Sequence, residues 1–222
     1  MPLFKWGKSS FGQSLATLVN EPATTSNTGW TSWFQKQPAP TTTTTASADA
    51  IGQNTLASTS TSVKTLDVGP VSITRGTVDA TALAQSSDGS TTYASAVTSA
   101  LYPQGDVMLE QATNTNGSGA DASGDWAYAS STTSFMSIDI QGIDFTPRLI
   151  QKTTDATVTT KPASFNGNLA TFNVDMSASG DNTYADAQVS ALTVEDRYSS
   201  ATTTTFTSAQ SYSLLDYFHS LF

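Results

Sequence analysis

The chain has 222 residues, a net charge of −9, 37% apolar and only 12% charged side chains, and no cysteine. That length supports one large or two small domains with a real core, while the missing cysteines exclude disulfides, thiolate nucleophiles and the common zinc frameworks. The acidic balance excludes nucleic acid as a partner, since binding phosphates needs clustered Lys and Arg.

What replaces charge is hydroxyl: the sequence holds 38 Thr, 31 Ser and 27 Ala. Threonine suits a pleated strand, where its hydroxyl meets water or a neighbouring strand. Of the 18 acidic residues 15 are Asp, a bias that suits turns and oxygen-ligand cation sites better than helix surfaces. No stretch approaches the 18 or so apolar residues of a transmembrane helix.

Residues 1–40 carry Lys5, Lys8 and Lys36 against Glu21, a charge of +2 that leaves −11 for residues 41–222. The basic start lacks a continuous apolar run, because Leu15-Ala-Thr-Leu-Val19 is broken, so a cleaved leader is not expected. Ser9 or Ser10 caps a short helix in this reading, with Phe11, Leu15, Leu18 and Val19 on one face. Phe4, Trp6, Phe11, Trp30, Trp33 and Phe34 make the segment an arm that either packs on its own body or docks on a neighbouring copy. Pro38-Ala-Pro40 and the run Thr41–Thr45 read as an extended linker closing this arm at residue 45.

From residue 46 to 210 the pattern is β. Val71 with Ile73, Ile138 with Ile140, Ile143 with Phe145, and Phe172 with Val174 and Met176 alternate with polar residues, as half-buried strands do. Asp88-Gly89, Asn116-Gly117, Asn166-Gly167 and Gly180-Asp181-Asn182 read as turns between them. Thr92-Tyr-Ala-Ser-Ala-Val-Thr-Ser-Ala-Leu101 and Thr183-Tyr-Ala-Asp-Ala-Gln-Val-Ser-Ala-Leu192 agree at seven of ten positions, 91 residues apart. Upstream, Pro70-Val-Ser-Ile73 answers Pro162-Ala-Ser-Phe165, and Gly76 answers Gly167. Copies near 65–101 and 156–192 are too small to fold alone. The expectation is an all-β chain of duplicated units, forming a pseudo-symmetric sandwich or a β-solenoid, in which Tyr93 and Tyr184 hold equivalent places.

Chemistry is scarce. His219 is the one histidine and stands too near the end of the sequence to be held rigidly as a triad base. The scattered Asp residues assemble no visible pair for glycoside hydrolysis. Asn116-Gly-Ser-Gly-Ala-Asp-Ala-Ser-Gly124 resembles one turn of the calcium-binding nonapeptide of RTX-type secreted proteins, with Asn at the first Gly position and Ser123 at the large apolar one. That resemblance implies calcium on Asp121 and Asp125, although a single copy lacks the second turn between which such an ion sits. The apolar segment 211–222, with Leu214, Leu215, Phe218 and Phe222, either seals the core or inserts into an adjacent subunit. The Ser/Ala/Asp-rich composition and this tail resemble substrates of type I secretion.

The expected function is a non-enzymatic structural protein of a cell surface, extracellular matrix or filament, partnered with itself through its terminal segments and strand edges. It would use no cofactor, calcium being the one candidate. A secreted adhesin or carbohydrate- or calcium-binding module is the alternative, and a carboxylate-based hydrolase a more remote one.

Overall fold

The computed structural model describes residues 41–68, 71–140, 147–180 and 182–210. Within them the chain forms ten strands: β1 (Thr41–Ile51), β2 (Asn54–Val68), β3 (Val71–Ser86), β4 (Tyr93–Leu101), β5 (Val107–Asp121), β6 (Gly124–Ile140), β7 (Arg148–Thr157), β8 (Asn168–Ser179), β9 (Asn182–Val194) and β10 (Tyr198–Gln210). They build a four-stranded sheet in the order β4-β1-β10-β9 and a six-stranded sheet in the order β7-β5-β6-β3-β2-β8. The two pack as a sandwich, all-β and without barrel closure. Among the described residues no helix is long and apolar enough to cross a membrane. The expected N-terminal helix, its aromatic cluster, Ile143 with Phe145, and the segment 211–222 lie outside the described residues.

The run Thr41–Thr45 is extended, as β-branched residues prefer, but it is the first half of β1 and not a linker, because β10 pairs with it from Thr41 onward. Asn116-Gly117 is likewise no turn. Both residues lie within β5, paired to β6 on one side and reached by the end of β7 on the other, where the Val158 N–H donates to the Asn116 carbonyl at 2.7 Å. The bare Cα of Gly117 admits that approach, since a Cβ would stand 2.2 Å from the Val158 carbonyl oxygen. The hairpin closes instead at Ala122–Ser123, between the paired residues Asp121 and Gly124.

The interior explains the composition. Facing strands contribute Ala46, Ala48, Ala50, Ala201, Ala57, Ala80, Ala82 and Ala84, with Val63, Val78 and Phe135 the larger apolar members. Between them the buried threonines meet across the sandwich. Thr59 and Thr203 hydroxyls lie 2.6 Å apart, Thr55 and Ser199 2.6 Å, and Thr65 and Thr207 2.9 Å, all joining β2 to β10. Thr98 on β4 reaches both Ser131 and Thr133 on β6 at 2.8 Å. Pairing hydroxyl with hydroxyl satisfies groups whose burial would otherwise be unfavourable. At the end of β3 and β6 where Ile73 pairs with Ile138 the inner side chains are polar: Thr74 and Ser137 are buried, while Ile73 and Ile138 lie on the partly open outer face.

Each sheet carries a local twofold. In the four-stranded sheet, a rotation about the Ala46–Thr203 pair carries Ile51 onto Ser208 and Thr41 onto Tyr198. It also carries Tyr93–Leu101 onto Tyr184–Leu192, since Tyr93 stands opposite Ile51 and Tyr184 opposite Ser208. The repeated Tyr-Ala segments are thus the two edges of one sheet. The strands upstream of them hold different places, β3 central and β8 at an edge, and Ala163, Ser164 and Phe165 precede β8 outside any strand. In the six-stranded sheet a rotation about Asp79–Thr132 carries the β2–β3 hairpin onto β5–β6 and β8 onto β7. Leu56, Leu83 and Leu169 then fall on Leu109, Met136 and Ile150.

Candidate functional site

The acidic residues singled out in the glycine-rich segment sit at the β5–β6 hairpin end. Asp121 Oδ1 accepts from the Ser123 N–H at 2.8 Å, from the Ser123 hydroxyl at 2.6 Å and from Lys161 Nζ at 3.2 Å. Its pKa is lowered by these bonds, that of the Ser123 hydroxyl foremost. Asp125 is the second residue of β6, opposite Ala120 and Ser86. The turn therefore holds a lysine against the carboxylate on which a cation would sit. Among the described residues no three His, Cys, Asp or Glu side chains form a group able to hold a metal ion.

A second acidic feature has no local signature in the sequence. Register places Asp139 on β6 opposite Ser72 on β3, and Ser72 opposite Asp67 on β2, with Asp106 one residue ahead of β5. Asp106 Oδ2 accepts from the Ile140 N–H at 2.8 Å. Asp139 has its pKa raised, chiefly by burial and then by the charges of Asp106 and Asp67. Residues so far apart in sequence become neighbours through the sheet order alone.

One aromatic pair closes the side of the sandwich beside β4. Tyr102, just past β4, stacks on Phe135 with centroids 4.8 Å apart, and its hydroxyl donates to Glu110 Oε2 at 2.8 Å. Burial, then the Glu110 carboxylate, pushes the phenol pKa up, so it stays a neutral donor.

The most distinctive surfaces are strand edges. β7 packs against β5 and no other element, and every one of its ten residues is exposed. β9 touches β10 and β8 and is exposed at every position except Ala187. The four-stranded sheet is displaced across the larger one: β4 lies over β6 and β3, β1 over β3 and β2, β10 over β2 and β8, and β9 over β8. Among the described residues, β5 and β7 have no strand facing their inner side, and β9 overhangs at the opposite end. Exposed Leu149 and Ile150 on β7, Phe172 and Leu169 on β8, and Tyr184, Val189, Leu192 and Val194 on β9 accompany these edges.

Of the residues singled out for assembly, Phe4, Trp6, Phe11, Trp30, Trp33, Phe34, Leu214, Leu215, Phe218 and Phe222 all fall outside the described residues. The edge strand β7 had no strand signature in the sequence, because Arg148–Thr157 shows no apolar alternation. Its one signal was two cations, Arg148 and Lys152, in an otherwise acidic body. The chain matches no family model, no curated protein and no solved structure.

Proposed function

We propose that this protein is a non-enzymatic structural subunit of a cell surface, extracellular matrix or filament, built to associate with copies of itself. The observation that carries the reading is the offset of the two sheets, which among the described residues leaves β7 at one end with no strand facing it and β9 overhanging β8 at the other. Strand edges of that length are templates for pairing and are ordinarily covered or blunted. A repeated unit that ends in unmatched layers is completed by its neighbour. The alanine–threonine interior supports the same role, since its alanines pack on one another and Thr55, Thr59 and Thr65 pair across it with β10.

The test compares the full-length chain with residues 41–222 by light scattering and negative-stain microscopy, over a wide range of protein and calcium concentrations. Concentration-dependent assembly is expected. Monomers throughout would sink the reading, and monomers whose melting temperature rises with calcium would favour a binding module instead.

A further inference from the structure

The two unmatched ends fit each other. β5 and β7 run parallel, as do β2 and β8, while the central pair β3–β6 is antiparallel. It follows that β7 and β8, the two edges of the six-stranded sheet, run in opposite directions. A second copy displaced along the sheet without rotation brings its β7 antiparallel to the first copy's β8. The same displacement slides that β7 beneath the overhanging β9, whose inner face carries Thr183, Ala185, Ala187, Val189 and Ala191.

Among the described residues no strand pairs with the outward edges of β7 and β8. Arg148 N–H donates to the Asp106 carbonyl at 3.1 Å and Val158 N–H to the Asn116 carbonyl at 2.7 Å, so the even-numbered β7 residues face β5. Leu149, Gln151, Thr153, Asp155 and Thr157 direct their N–H and C=O groups to the open edge. On β8, the Thr55 N–H donates to the Gly167 carbonyl at 3.2 Å, so odd-numbered residues face β2 and Ala170, Phe172, Val174, Met176 and Ala178 face outward.

Charge selects the register. β7 places Arg148 and Lys152 on the outer face of the sheet, and β8 places Asp175 on that same face, where Lys64 lies 3.6 Å away with both side chains solvated. Setting Lys152 opposite Asp175 lays all ten β7 residues along Ala170–Ser179 and brings Thr153 opposite Val174. The half-exposed Leu149 then stands opposite Ala178 and Phe172 opposite Asp155, on the inner face that β9 overhangs. We infer that copies of this chain add head to tail, β7 of one pairing antiparallel with β8 of the next under that copy's β9. Repeated without a rotation that closes a ring, a contact between two different edges grows as a filament. The charge pair sets register and partner choice, and the backbone ladder and covered apolar side chains set affinity.

This inference rests on the self-assembly reading and is tested separately from it, with full-length protein, by sedimentation velocity and negative-stain microscopy. Thr153→Pro removes an outward N–H from β7, and Val174→Pro removes one from β8, neither being bonded within its own sheet. Each variant alone is expected to stay monomeric, and an equimolar mixture to form a heterodimer that grows no further, which also shows that both variants fold. Lys152→Glu should weaken assembly about tenfold, with recovery when Asp175→Lys is added to the same chain. If the wild type polymerises and both proline variants polymerise equally well, the edge pairing is overturned while self-assembly stands. A wild type that remains monomeric removes both. Unchanged or tighter association of Lys152→Glu would make Lys152 a guard of its edge and overturn this pairing.

Discussion

Thr59 and Thr203 show how this interior is held. Each hydroxyl has lost water and has the other as its partner at 2.6 Å. Thr59→Val leaves Thr203 buried and unpaired, so a loss of about 1–2 kcal/mol is expected. Adding Thr203→Val removes the orphan, and the double variant should recover most of the loss in urea unfolding. Thr61 is the contrast, because among the described residues its buried hydroxyl has no hydrogen-bond partner. Thr61→Val keeps the shape and is expected to stabilise by about 1 kcal/mol. Among the carboxylates the signs oppose. Asp139 has a raised pKa in the fold, so above that value both folded and unfolded chains are ionised and the fold bears the full unfavourable charge. As pH falls the folded state takes the proton first, and stability from this group rises until the unfolded chain also protonates near 3.8. Asp139→Asn should therefore stabilise at neutral pH, and its advantage should shrink on acidification. Asp88, lowered to about 2 chiefly by the Ser86 hydroxyl and then by Ser90, does the reverse. Its contribution is complete above 3.8 and disappears towards pH 2. Melting curves of wild type, Asp139→Asn and Asp88→Asn between pH 2 and 7 would separate the two.

At the level of elements, the β3–β6 pair contains one close approach that only glycine allows. The Phe135 ring lies over Gly76, and a Cβ at Gly76 would stand 2.6 Å from it and 2.9 Å from the Ser62 carbonyl oxygen. Gly76→Ala is expected to destabilise by about 1–3 kcal/mol through overpacking. It should also release the Tyr102 hydroxyl from Glu110, because the ring on which Tyr102 stacks must move. A tyrosine pKa returning towards its ordinary value, read by ultraviolet titration, checks the second effect. The sequence showed several of these strands plainly: Phe172, Val174 and Met176 do alternate along β8, and the repeated Tyr-Ala segments are edges of one sheet. It did not show which face turns inward in β3 and β6, because alternation marks two faces without naming the buried one. Here the hydroxyls of Thr74 and Ser137 are inside and Ile73 and Ile138 outside. Nor could it show Asp67, Asp106 and Asp139 as neighbours, or β7 as an overhanging edge. Both depend on the order β7-β5-β6-β3-β2-β8, which is fixed by pairings between distant segments.

For the whole molecule the decisive fact is that the first and last described strands are the two central strands of the smaller sheet. Thr41 lies opposite Ser208, so the two ends of the body emerge side by side. A short flexible linker of roughly five residues from Gln210 back to Thr41 spans that gap. New ends opened between Thr91 and Thr92, ahead of β4, break no strand and leave the Asp88 turn with its bonds to Ser86 and Ser90. This circular permutant of residues 41–210 is expected to fold and unfold cooperatively, because every pairing in both sheets is kept and only loop-closure entropy changes. It carries neither terminal segment, yet retains β7, β8 and β9. If those edges join the copies, the permutant forms the same filaments as the full-length chain, with the same sensitivity to Lys152→Glu. A folded permutant that stays monomeric would instead assign assembly to residues 1–40 or 211–222.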